Sequence, residues 1–186
     1  MNENEWVSLV IEAISPKIIG FENNLSILQG EKITYACEIT SYSENNETDL
    51  SSYETDLLIK ETYPDGSWKP RVVVEAKINS VSTHDAITYS EKAIKHKHVH
   101  PYLRYGIMLG NRKDYPLPGR LYRNGAYFDF MMSWKKFEPS DKEVAIMVKI
   151  LLDEVIASRN LEEILYSSRK RDRNHYTVLH KPLVLK

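Results

Sequence analysis

"RVVVEAKI", residues 71–78, decides how the rest of the chain is arranged. Its three valines and isoleucine mark a strand, because β-branched side chains suit a pleated surface. Glu75 and Lys77 nevertheless stand two apart in its middle. Side chains alternate across a strand, so Val72, Val74 and Ile78 share one face while Val73, Glu75 and Lys77 share the other. The strand therefore offers one face to a core and sets two opposite charges on the second.

Immediately upstream, "TDLLIKE" (55–61) reads as a partner strand, joined through "TYPDGSWKP" (62–70). Pro-Asp-Gly is a strong turn signal. With Asp65 and Gly66 at the centre of a two-residue turn, Leu57 faces Val74 and Ile59 faces Val72 on the core side. On the other side Leu58 meets Val73, Lys60 meets Arg71, Asp56 falls opposite Glu75, and Glu54 falls opposite Lys77. Pro70 lacks an N–H and predicts an irregularity near the turn. Two carboxylates directly across a ladder lie about 4.5–5.5 Å apart at their β-carbons and repel. The pair is tolerable with a positive charge between them, from Lys77 or from a divalent cation. Hard oxygens around such a gap suit Mg²⁺, which takes one or two carboxylates and keeps several waters. A solvated salt-bridge cluster is the plainer alternative.

Asp56, the hairpin, and then Glu75-Ala76-Lys77 resemble the PD-(D/E)xK nuclease superfamily, the restriction-endonuclease-like fold. Thr55 stands where the family motif has proline. The resemblance covers residues 5–110 and implies an α/β fold with a mixed central sheet flanked by helices. It implies that Asp56 and Glu75 bind Mg²⁺ (or Mn²⁺) with the backbone carbonyl of Ala76, and that Lys77 positions or activates the attacking water. It further implies a small endodeoxyribonuclease acting on double-stranded DNA as a homodimer. Members often add an acid from the first helix: Glu12 is the positional match, with Glu38 and Glu54 as alternatives. A repair or recombination nuclease, a non-catalytic nucleic-acid-binding module of the same fold, and an unrelated ligand-binding α/β domain are the competing expectations.

The remaining segments fit such a fold. "ENEWVSLVIEAI" (3–14) carries an apolar stripe of Val7, Val10, Ile11 and Ile14, with Pro16 soon after, and predicts a helix. "KITYACEIT" (32–40) alternates as a strand, with Cys37 expected to be a buried small residue. "SYSENNETDLSS" (41–52) reads as a polar loop. Ser82 and Asp85 form a capping box for a helix over "STHDAITYSEKAIKHK" (82–97). "YLRYGIML" (102–109) and "AYFDFMMSW" (126–134) read as strands separated by the loop "NRKDYPLPGR" (111–120). Ser140 and Glu143 cap a helix to about Ala157, with a second short helix around "LEEILY" (161–166). The expected organisation is a single domain over residues 1–186, its catalytic core at about 5–135 and a helical segment and tail over 140–186.

The bulk composition is that of an ordinary globular chain: 186 residues, 42 % hydrophobic, 27 % charged, net charge −1. The N-terminus lacks a signal-peptide pattern, no run is long enough to span a bilayer, and Cys37 is alone, so a reducing cytoplasm is expected. Charge is unevenly placed. Acids dominate residues 1–60, whereas Lys92, Lys95, Lys97, Arg104, Arg112, Lys113, Arg120 and Arg123 make residues 84–123 basic. Such a segment suits a polyanion. Lys92, Lys95, Arg104, Arg112, Lys113, Arg120 and Arg123 are the candidate nucleic-acid contacts, with "RKRDR" (169–173) as a further phosphate-gripping stretch. "HKHVH" sets His96, His98 and His100 at alternate positions, where an extended segment would let them share a metal and a helix end would not. The absence of GxxxxGK, GxGxxG and paired CxxC motifs disfavours nucleotide hydrolysis by a P-loop and structural zinc of the usual kind.

Overall fold

A computed structural model describes residues 1–113, 117–167 and 178–185. The elements run α1 (Glu3–Phe21), β1 (Leu25–Leu28), β2 (Lys32–Ser41), β3 (Glu47–Glu54), β4 (Leu57–Thr62), β5 (Trp68–Ile78), α2 (Thr83–Val99), β6 (Arg104–Gly110), α3 (Gly119–Asn124), β7 (Phe130–Ser133) and α4 (Asp141–Tyr166). Five strands form a mixed sheet in the order β1-β4-β5-β6-β7, and β2 and β3 form a separate two-stranded ribbon. The β1–β4–β5 part is antiparallel, and β5, β6 and β7 run parallel. The fold is thus the expected α/β class.

The two faces of "RVVVEAKI" separate as read. Leu57, Ile59, Val72, Val74 and Ala76 join the main core with Trp6, Val10, Ile14 and Ile18 of α1 and Met147, Leu151 and Val155 of α4. Leu58 and Val73 enter a second cluster on the opposite face, with Ala93 of α2, Leu103, Tyr105 and Ile33. Burying apolar area on both faces is what a parallel-centred sheet requires. Trp6 fixes the first layer: it stands edge-on to Trp134 at 6.0 Å between ring centroids and donates its indole N–H to the Phe137 carbonyl (3.1 Å). Gly106 lets β6 approach β7, since a β-carbon there would fall 2.2 Å from the Phe130 ring.

The hairpin register has an instructive origin. No two-residue turn forms at Asp65-Gly66. Instead Gly66 N–H donates to the Tyr63 carbonyl, placing Pro64-Asp65 at the turn centre and Gly66 at φ +83°. Pairing beside the turn is consequently one residue off: Thr62 faces Trp68, and Lys60 faces Pro70 rather than Arg71. A bulge then leaves Arg71 unpaired and restores Ile59↔Val72 and Leu57↔Val74. Proline cannot donate to a ladder and is tolerated beside a bulge, where the regular pairing is interrupted. The two irregularities cancel, so the expected register holds from Leu57 to Ile59; it ends there, and Asp56 and Glu75 form no rung of the ladder.

Five other expectations are corrected. Residues 47–54 form strand β3, not a loop; the strand is mostly solvent-exposed, so no apolar alternation marks it. Glu54 therefore pairs with Lys32 on β2 and does not face Lys77. Cys37 is exposed, because β2 leaves the core after Ile33. The helix α1 continues through Pro16 to Phe21, its last turns held by fully buried Ile18, and residues 141–166 form one helix rather than two. The short strand β1 and helix α3 are elements the sequence patterns missed. Among the described residues no helix is long and apolar enough to cross a membrane.

Candidate active site

Strand β4 stops at Leu57, one residue short of Asp56, while β5 runs on to Ile78. The gap left beside β5 is filled by the Asp56 side chain. Its Oδ2 accepts a hydrogen bond from the Ala76 N–H at 2.7 Å, standing in for the ladder bond that β4 no longer makes. In an extended strand the N–H and C=O of one residue leave by the same edge, so the Ala76 carbonyl emerges on the Asp56 side as well. Thr55 anchors the approach: its N–H and its hydroxyl both donate to the Glu31 carbonyl (3.0 and 2.8 Å).

Glu75 projects from the opposite face to Ala76 and is only 1 % exposed. The Tyr105 hydroxyl donates to its Oε1, and the Lys92 ammonium of α2 lies 3.5 Å from the same oxygen. Burial pushes the Glu75 pKa up to about 7, and the charge of Asp56 pushes in the same direction; Lys92 and the Tyr105 hydroxyl pull it back. A hydrogen bond with the Asp56 carboxylate adds to the same upward push on the Glu75 pKa. A carboxyl pair so arranged accepts either a shared proton or a cation. Two carboxylates and an adjacent carbonyl are a hard oxygen set that fits Mg²⁺. Among the described residues no group of three Asp, Glu, His or Cys side chains is placed to hold a metal ion.

Lys77 lies on the Glu75 face as expected, but its ammonium is turned aside. It pairs with Glu3 of α1 at 3.1 Å and sits 5.3 Å from the centre of the Tyr89 ring. Burial opposes its charge, yet hydrogen bonds with Tyr89 and Glu3 outweigh that and raise its pKa above the ordinary lysine value. The cation beside the carboxyl pair is therefore Lys92. Glu3 is the first-helix acid that reaches the site. Glu12, Glu38 and Glu54 are exposed on α1, β2 and β3. An acid in a helix's first turn reads only as a capping or dipole residue, and no sequence signal tied Glu3 to Lys77.

The remaining candidate contacts scatter. Lys95 lies over the Tyr35 ring at 6.0 Å. Arg104 is committed to Asp129 (3.1 Å) and Glu154 (2.5 Å) at the start of β6, the far end from the carboxyl pair. Arg112 and Arg120 donate to the Asn79 and Val81 carbonyls, bracing the connection from β5 to α2. Lys113 and Arg123 are exposed. The stretch 169–173 lies outside the described residues. The three histidines do not converge on a metal site: His96 and His100, one helical turn apart, both turn toward the Thr34 backbone, whereas exposed His98 lies on another side of α2. His96 is fully buried between Tyr53 and Tyr105, and burial lowers its pKa to about 4, so it is neutral. The chain matches no family model and no curated protein sequence.

Proposed function

We propose that this chain is a Mg²⁺-dependent nuclease that hydrolyses phosphodiester bonds in DNA, acting as a small restriction-like endonuclease in a homodimer. The observation that carries the reading is the placement of Asp56 on the Ala76 N–H, next to buried Glu75, at the point where β4 gives way. Asp56 and Glu75 would hold the ion together with the Ala76 carbonyl. A bound Mg²⁺ supplies a water of lowered pKa and positive charge for the phosphate oxygens. Tyr105 orients Glu75, and the Ala76 N–H orients Asp56, so neither carboxyl group has to be recruited. Lys92 and Lys77 bring fixed positive charge to where negative charge grows on the phosphate.

A second reading has its own support: Lys77 is paired with Glu3 and Lys92 with Glu75, the pattern of a self-neutralised, non-catalytic module. Supercoiled plasmid incubated with Mg²⁺ or Mn²⁺ separates the two. A nuclease nicks or linearises it, stops with EDTA, and loses cutting in Asp56→Asn and Lys77→Ala proteins that melt like the wild type. Supercoiled, linear and single-stranded DNA all left intact in either metal would overturn the nuclease reading.

A further inference from the structure

Beyond the carboxyl pair, cations and aromatic rings alternate along one surface. The Lys77 ammonium lies over Tyr89 (5.3 Å), and Lys92 lies between Tyr89 (5.2 Å) and Tyr53 (5.5 Å). Tyr53 stacks on Tyr35 at 3.8 Å with the rings 8° from parallel, and Lys95 closes the row 6.0 Å from Tyr35. The six residues come from β5, α2, β3 and β2, and all are half-buried. The row joins the otherwise exposed β2–β3 ribbon to α2, and it begins at the carboxyl pair through Lys92.

The choice of rings as partners has an electrostatic consequence. A carboxylate that holds a lysine also cancels its charge, whereas an aromatic face holds the ammonium through its quadrupole and leaves the net charge in place. Lys77 and Lys92, at the inner end, each share a carboxylate. Lys95, at the outer end, makes no salt bridge among the described residues, although exposed Glu91 lies one helical turn before it. Positive charge therefore persists outward along a rigid row whose ammonium positions are set by stacked rings. Neither face of the Tyr35–Tyr53 stack is open, so the row is not built to stack bases; what it offers is N–H donors to phosphate.

We propose that this ladder, Lys77–Tyr89–Lys92–Tyr53–Tyr35–Lys95, is a track for the sugar–phosphate backbone of a DNA strand leading to Asp56 and Glu75. The destination rests on the nuclease reading; the track itself is a binding surface. Contacts of this kind are independent of base sequence and weaken steeply with salt. They also place the strand along α2 and the ribbon, rather than along the arginines that brace the β5–α2 connection.

Binding is measured by fluorescence anisotropy with fluorescein-labelled 20-mer duplexes of unrelated sequence, in EDTA, over a range of salt concentrations. Lys95→Ala weakens binding to every duplex alike, and its slope of log affinity against log salt falls by about 0.9, the loss of one phosphate contact. Tyr35→Leu weakens binding in the same way and Tyr35→Phe does not. Lys149→Ala, on α4 across the sheet, removes a charge without effect. Melting curves accompany each variant, and Lys95→Ala decides the matter if Tyr35→Leu unfolds. No wild-type binding, or a folded Lys95→Ala protein with unchanged affinity and slope, overturns the track. Duplex bound through Lys95 while supercoiled plasmid, linear and single-stranded DNA stay uncut in Mg²⁺ and Mn²⁺ overturns the nuclease reading alone.

Discussion

Lys92 Nζ, from the middle of α2, lies 3.5 Å from Glu75 Oε1 on the buried strand β5. It is one of the groups that oppose the rise of the Glu75 pKa to about 7. Lys92→Met therefore moves the Glu75 titration to higher pH. A ¹³C chemical-shift titration of the Glu75 carboxyl reads this directly; an unchanged midpoint would show that the lysine does not act on it.

Glu75 also makes folding stability depend on pH. Its pKa is higher folded than the ordinary 4.5, so the folded protein binds the extra proton between about pH 4.5 and 7. That contribution is present below about 4.5 and is lost as pH rises through 7. Glu75→Gln keeps an acceptor for Tyr105 and removes the buried charge. At pH 8 it is expected to unfold at higher urea than the wild type, by on the order of 3 kcal/mol, with the difference vanishing near pH 4.

The opposite sign holds at the other end of the sheet. Arg71, 2 % exposed, bonds Glu61 on β4 and Glu162 on α4, each at 2.6 Å, while Arg159 ties Glu61 to Glu22. Burial works to raise the Glu61 and Glu162 carboxyls, but the guanidinium and lysine hydrogen bonds outweigh it and hold both below 4.5. This stability is present above about pH 4.5 and is lost as pH falls through the lowered values. Arg71→Met leaves Glu61 to Arg159 and Glu162 to Lys69, and costs on the order of 2 kcal/mol at pH 7, measured by urea unfolding.

Gly106→Ala tests the β6–β7 contact. A β-carbon 2.2 Å from the Phe130 ring cannot be housed without moving β7. A loss of at least about 1–3 kcal/mol is expected, and Phe130→Leu in the same chain should recover part of it.

The strand pair around the site was legible because burial wrote itself into the pattern. Leu57, Ile59, Val72 and Val74 alternate with Leu58 and Val73, and Pro-Asp-Gly located the turn to within one residue. The ribbon strand β3 was not legible for the converse reason: "ETDLSSYE" packs little and has no apolar period to read. The carboxyl pair could be placed from local register, since Asp56 and Glu75 are tied by one hairpin. Lys92, Tyr105 and Glu3 come from three other elements, and only the packing of α2, β6 and α1 brings them in. Arg71 was paired with Lys60 because the place of a bulge cannot be counted from spacing alone.

The hydrogen bond from Ala76 N–H to Asp56 makes the aspartate a substitute rung of the sheet. A carboxylate mounted that way cannot swing independently of β5: whatever displaces the strand carries Asp56 with it. The two acids thus keep their separation through any breathing of the hairpin turn far away, and the sheet's own backbone serves as the gauge that sets it.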